Sequence, residues 1–188
     1  MSHSSVTDEL VRNSESFAAS FDRGSPPVTP GGKVAVLACM DARIDVYALL
    51  GLRLGEAHVI RNAGGVVSED AVRSLLISQR LLGTREIMLI HHTDCGMLRF
   101  KDDEVKAQIE SETGVRPPFA LEAFAEVEAD VRQSIARIQA NPFIPYKERV
   151  RGFVYEVESG RLREVLQSST EGQGNRWASQ AHATGDNG

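Results

Sequence analysis

Two short stretches carry residues able to do chemistry, Cys39-Met40-Asp41-Ala42-Arg43 and His92-Thr93-Asp94-Cys95. Each follows an apolar run, Val34 to Ala38 and Ile87 to Ile90, that reads as a buried strand. A thiol, a carboxylate and a guanidinium thus emerge together at one strand end, and an imidazole and a second thiol at another. If the two strands are neighbours, Cys39, His92 and Cys95 converge on one point. That donor set, soft and borderline, suits zinc. Three protein donors leave one tetrahedral position, and its occupant decides the function. Catalytic zinc carries water there, whereas structural zinc carries a fourth protein ligand. Water in that position yields hydroxide at neutral pH; Asp41 in that position closes the metal.

Arg43 stands two residues beyond Asp41 and can grip its carboxylate bidentately, leaving an oxygen to accept the proton of a zinc-bound hydroxide. As an isolated surface pair, Asp-x-Arg contributes well under about 1 kcal/mol and needs no function. Beside Cys39, and with a cysteine three residues after a histidine, it gains a role in aiming hydroxide at an electrophile. His91 and His92 point to opposite faces of a strand, so only one of them reaches the metal, and the residues alone leave the choice open. A third stretch, Asn62-Ala63-Gly64-Gly65, has two glycines that permit positive φ or close backbone approach. It matches neither the Walker nor the dinucleotide pattern. It reads as a tight turn beside a small-molecule pocket, with Gly64 and Gly65 as backbone wall. Other uses of Cys39 fit less well. A cysteine phosphatase needs an arginine six residues on, where Asp45 stands; a thioredoxin-like dithiol needs Cys-x-x-Cys. A cysteine hydrolase would leave Cys95 without a role.

The elements that position these groups follow from the rest of the chain. At 188 residues and 41% hydrophobic content, one domain with one sizeable core is expected. The net charge of −5, with no long basic run, argues against a nucleic-acid partner and for a small ligand. No apolar segment approaches the roughly 18 residues of a membrane span, and the N-terminus lacks a secretory pattern. A cytoplasmic location without membrane association is therefore expected, where a disulfide between the two cysteines is disfavoured. From Asp8 onward, Leu10, Ser14, Phe17, Ala18 and Phe21 share one helical face. Gly24 to Gly32 is a connector into the first strand, Val34 to Ala38. A short helix over Ile44 to Leu50, closed by Gly51, leads to a second strand, Ala57 to Arg61. Ser68 caps a helix that ends at Gly83, and a third strand runs from Glu86 to His91. A surface helix is expected over 98–113. A long helix starting near Phe119 has a core face of Phe124, Val127, Val131, Ile135 and Ile138. Val150 to Val157 and Leu162 to Val165 form a terminal hairpin. His58, near the start of the second strand, should lie away from the strand ends that carry the site. The expected fold is α/β, a mostly parallel four-stranded sheet flanked by helices with a fifth, antiparallel edge strand. Residues 1–32 would be helix and connector, 33–166 a single zinc-binding domain, and 167–188 a flexible tail.

The combination of Cys39-x-Asp41-x-Arg43, Arg61-Asn62-Ala63-Gly64-Gly65 and His92-x-x-Cys95 resembles the β-class carbonic anhydrases over about residues 33–166. It is most similar to the short bacterial branch with His-Thr-Asp-Cys-Gly-Met, here His92 to Met97, which also includes carbonyl sulfide hydrolases. The resemblance implies Cys39, His92 and Cys95 as zinc ligands, His92 rather than His91, and Asp41 with Arg43 as the orienting dyad. It implies reversible hydration of CO2 to bicarbonate and a proton by zinc-bound hydroxide. The alternative is release of sulfide and CO2 from carbonyl sulfide on the same site. A third reading is a non-catalytic zinc protein closed by Asp41. The resemblance also implies a homodimer or dimer of dimers in which the helix over 8–21 packs across a twofold-related subunit. Some members carry Asp41's counterpart on zinc at lower pH and release it to the arginine as pH rises. Some members regulated by bicarbonate carry a tryptophan where Val36 stands, so that mode of control is not expected here.

Overall fold

The run Val34 to Cys39 forms β1, and every residue after Val34 is buried, because parallel strands covered on both faces expose neither side. The computed structural model describes residues 5–22, 24 and 27–166; the tail expected over 167–188 lies outside the described residues. β2 (Ala57–Asn62) lies on one side of β1 and β3 (Glu86–His92) on the other, both parallel to it. β4 (Val150–Glu156) continues the parallel set beyond β3, and β5 (Arg161–Val165) closes the edge antiparallel to it. The order β2-β1-β3-β4-β5 is the expected sheet of four parallel strands and one antiparallel edge strand. Chain order reverses between β1 and β3, whose carboxyl ends carry Cys39 and His92. Open α/β sheets place ligands at that kind of reversal.

Among the described residues five α-helices accompany the sheet: α1 (Val6–Ala19), α2 (Val46–Leu50), α3 (Glu69–Arg80), α4 (Asp102–Thr113) and α5 (Val127–Ala140). On one sheet face, Leu37 and Leu89 pack with Leu75 of α3 and with Val131, Ile135 and Ile138 of α5. Each such side chain, fully buried, contributes about 1.5–3 kcal/mol by removal from water. On the other face, Val36, Ala38 and Ile90 pack with Ile44, Val46 and Met97, and the two cysteines sit in this second cluster.

Several boundaries differ from the sequence expectation. The helix over 44–50 begins at Val46, because the Asp45 carboxylate caps it by accepting the Ala48 N–H. The surface helix expected from 98 begins at Asp102, after a 3-10 turn over Gly96–Leu98. The helix expected from Phe119 begins at Val127, capped by the Glu126 carboxylate. Upstream, Asp102 accepts the backbone N–H groups of Leu121, Glu122 and Ala123, and Glu122 has φ +62°, which is incompatible with a continuing helix. Phe124 therefore leaves the α5 face and packs on the cluster that holds the cysteines. α1 begins at Val6, with Ser5 and Asp8 forming a reciprocal capping box, and it has no buried residue.

Candidate metal centre

Cys39 ends β1, His92 ends β3, and Cys95 follows one turn later, so the strand reversal sets three donors side by side. Cys39 Sγ lies 4.0 Å from Cys95 Sγ and 3.2 Å from His92 Nε2. All three donor atoms fall within 4.8 Å of one another, and all three residues are buried. Tetrahedral zinc with bonds of about 2.3 Å to sulfur and about 2.0–2.1 Å to nitrogen has ligand–ligand edges of about 3.5–3.8 Å. The observed separations bracket that range, so the three residues fit a zinc ion with small adjustments. His92 Nδ1 lies 2.8 Å from the Thr93 carbonyl oxygen, an acceptor for its N–H, so Nε2 is the ring nitrogen turned to the thiols.

Without a metal, the three donors share their protons unequally. The Cys39 thiol is pulled down to about 4 by the hydrogen bond from Cys95, against burial, with further help from His92 and from the backbone N–H groups of Asp41 and Gly64. Cys95 is pushed up by that same bond, because its proton serves the Cys39 thiolate, and burial adds to the shift. For His92, burial acts downward, but the Cys39 thiolate and the Thr93 carbonyl outweigh it, and the net direction is up. Asp41 is held well below the usual carboxylate range by the Arg43 guanidinium.

Arg43 grips Asp41 as a fork, Nε to Oδ1 at 2.9 Å and Nη2 to Oδ2 at 2.8 Å, and its backbone N–H also donates to Oδ1. Asp41 Oδ2 faces the donor cluster, 3.7 Å from His92 Nε2. The carboxylate is thus beside the three donors while bound to the arginine. His91 takes the opposite side of β3 and pairs with Asp130 of α5 at 2.7 Å. His58 bonds Ser78 near the far end of the sheet. Gly65 packs against backbone: a Cβ there would lie 2.8 Å from Cys39 N and 2.9 Å from Ile90 O. Gly64 stands beside the Cys39 thiolate, with Met97 and Phe124 around its α-carbon.

Three contributions were not legible in the sequence. Arg61 donates from Nε and Nη2 to the Cys39 carbonyl and from Nη2 to the Asp41 carbonyl, fixing the turn between them. Its place at the end of β2, next to glycines, was the available signal. Asp94 and Arg99 tie into Arg43 from the other turn. Asp94 offered no signal of its own, since its role depends on a left-handed conformation at φ +52°.

A sequence model of the family described as carbonic anhydrase matches residues 34–117, which include all three donors. The chain is 54% identical over 160 residues to beta-carbonic anhydrase 1 of Mycobacterium tuberculosis, covering 85% of this chain and 98% of that protein. It is 34% identical over 189 residues to the carbon disulfide hydrolase of Saccharolobus solfataricus, covering 87% of this chain and 91% of that one. The crystal structure of a carbonic anhydrase from Streptococcus mutans superposes with a TM-score of 0.82 at 37% identity, over 88% of this chain and all (100%) of that one. With two cysteines and a histidine gathered where strand order reverses, and identity of this extent around them, the chain belongs to the β-carbonic anhydrase family.

Proposed function

We propose that this protein is a zinc-dependent carbonic anhydrase, catalysing CO2 + H2O ⇌ HCO3− + H+. The observation that carries the reading is the Cys39, His92, Cys95 donor cluster with the Asp41–Arg43 fork beside it. Cys39 and Cys95 as thiolates and neutral His92 through Nε2 would hold the ion, with formal charges that sum to zero. When bound, zinc supplies Lewis-acid activation of a water, whose pKa falls toward about 7, the value known from the three-histidine carbonic anhydrases. Asp41, kept ionised by Arg43, acts only as an acceptor. Its Oδ2, on the cluster side, takes the hydrogen bond of the reacting oxygen's remaining proton. That fixes the oxygen's orientation, so a lone pair faces the incoming carbon. The absence of side chains at Gly64 and Gly65 lets the chain approach Cys39 closely, with Met97 and Phe124 as apolar neighbours of Gly64. Stopped-flow CO2 hydration on the zinc-loaded protein, from about pH 6 to about pH 9, tests the reading. Turnover that depends on zinc is expected; absence of turnover across that range would refute it.

A second reading keeps the same site and changes the gas. Relatives that include the 34% identical carbon disulfide hydrolase favour a substrate with sulfur in place of oxygen, and carbonyl sulfide is the intermediate case. Sulfide release measured beside CO2 hydration on one preparation separates the two. The Arg43 grip on Asp41 supports both enzymatic readings over a non-catalytic site closed by Asp41. We also propose a homodimer or dimer of dimers joined through α1. Leu10, Val11 and Phe17 are exposed on that helix, and a helix of 14 residues is marginal alone in water. The metal-free site needs both thiols reduced, which supports a cytoplasmic location. Among the described residues no helix is long and apolar enough to cross a membrane.

A further inference from the structure

The Asp41–Arg43 fork lies within a single turn, and nothing in a two-residue spacing fixes that fork relative to the other ligand turn. Asp94 makes that connection. Its carboxylate Oδ2 accepts from Arg43 Nη1 at 2.8 Å, and its carbonyl oxygen accepts from Arg43 Nη2 at 3.0 Å. The other carboxylate oxygen, Oδ1, accepts from Arg99 Nη2. Arg43 therefore makes four side-chain hydrogen bonds, two to Asp41 and two to Asp94. Asp94 can present both acceptors to one guanidinium because it is left-handed, φ +52°, between His92 and Cys95. Aspartate and asparagine tolerate that conformation better than most residues.

We infer that Asp94 is a positioning residue: with Arg99 behind it, it anchors Arg43 to the His92–Cys95 turn, and so keeps Asp41 on the arginine and out of the metal's coordination shell. This rests on the zinc reading above for its consequence in turnover, but the coordination itself is separately observable. Without the anchor, Arg43 is free to swing away from Asp41, and the carboxylate, already 3.7 Å from His92 Nε2, is placed to take the position that water needs.

The test is Asp94→Asn, which preserves shape and tolerance of positive φ while removing the charge that holds Arg43. It is compared with wild type, Asp41→Ala and the double variant, each loaded with Co2+ for absorption spectroscopy and with Zn2+ for kinetics. Metal content is expected to stay at one ion per chain. In Asp94→Asn the cobalt spectrum should change as a carboxylate enters the shell, and kcat should fall about tenfold with KM within about twofold. In the Asp41→Ala background the same substitution should alter neither spectrum nor rate. A wild-type spectrum and kcat in Asp94→Asn overturn the inference, as does an equal effect with Asp41 absent. If Asp94→Asn fails to fold, Arg99→Ala removes the anchor's outer support at an exposed position, and the same spectral shift at smaller amplitude is required. Should the wild-type protein hydrate no CO2, the functional reading fails while the cobalt spectra still decide the role of Asp94.

Discussion

Gly65→Ala should damage the fold and the metal site together, and the structure gives the size of the effect. Gly65 has φ +73°, where an alanine costs about 1–2 kcal/mol. Its Cβ would lie 2.8 Å from Cys39 N, 2.9 Å from Ile90 O and 3.1 Å from Ala38 C, all of them backbone atoms of β1 and β3. Flexible side-chain ends could rotate away from such a contact; strand backbone cannot. Relief requires the two strands to shift from the added methyl, at about 1–3 kcal/mol for overpacking of this kind. The sum is about 2–5 kcal/mol, centred on about 3.5, or about 7–14 °C in Tm at this chain length. The contact is at the level of Cys39, so movement there separates Cys39 from His92 and Cys95. Zinc affinity should fall about tenfold to 100-fold, as when supporting groups of a metal site are lost. Urea denaturation of the metal-free protein isolates the first effect from bound metal, and competition with a zinc chelator measures the second. Gly96→Ala is the control: it lacks positive φ and a Cβ would have nothing within 4 Å, so a change within about 0.5 kcal/mol is expected. Stability of Gly65→Ala equal to that of Gly96→Ala would refute the reasoning.

Cys39→Ser and Cys95→Ser should each lose metal, seen as less than one zinc per chain after dialysis, because a serine hydroxyl does not replace a thiolate on zinc. Asp41→Ala should keep its zinc and lose most turnover; full activity would remove the orienting role. In the metal-free protein Cys39 is depressed to about 4, so its contribution to stability is complete above the unfolded thiol value of about 8.5. That contribution is lost as pH falls through about 4. Thiolate absorbance should accordingly show one ionised cysteine at pH 7, the second resisting because Cys95 is raised. Zinc binding at about pH 6 should release about two protons, from Cys95 and the raised His92, measured by calorimetry in buffers of different ionisation enthalpy. Removing residues 1–22, and α1 with them, should shift sedimentation toward monomer if the exposed Leu10, Val11 and Phe17 are interface residues.

What the sequence revealed and what it withheld divide along a physical line. Strands β1 and β3 were legible because a strand buried on both faces must be apolar throughout, and Val34 to Cys39 and Ile87 to Ile90 are. Cys39, His92 and Cys95 were legible because few other roles use two thiols and an imidazole at strand ends. The start of α5 was not, because apolar spacing from Phe124 continues the helical period through a segment that is not helical. What breaks the helix there is the Asp102 carboxylate, more than twenty residues from the α5 start, taking three backbone N–H groups. The apolar face of α1 has the same character: its side chains announce a face, yet none of its described residues is buried.

Arg43 shows why reading residue types finds ligands more readily than the groups that control them. A metal donor is recognised by its element and its strand, both local properties. The restraint on Asp41 depends instead on which partners share one guanidinium. That sharing requires β1 and β3 to be adjacent, their ends level, and Asp94 to turn left-handed so that carboxylate and carbonyl face the same way. None of these conditions is written at position 94 itself. They are supplied by the sheet order, which is set by the apolar runs upstream of each turn. The same packing that brings Cys39 to His92 therefore also brings Asp94 to Arg43, and a change that loosens β1 from β3 should weaken metal retention and Asp41 restraint together.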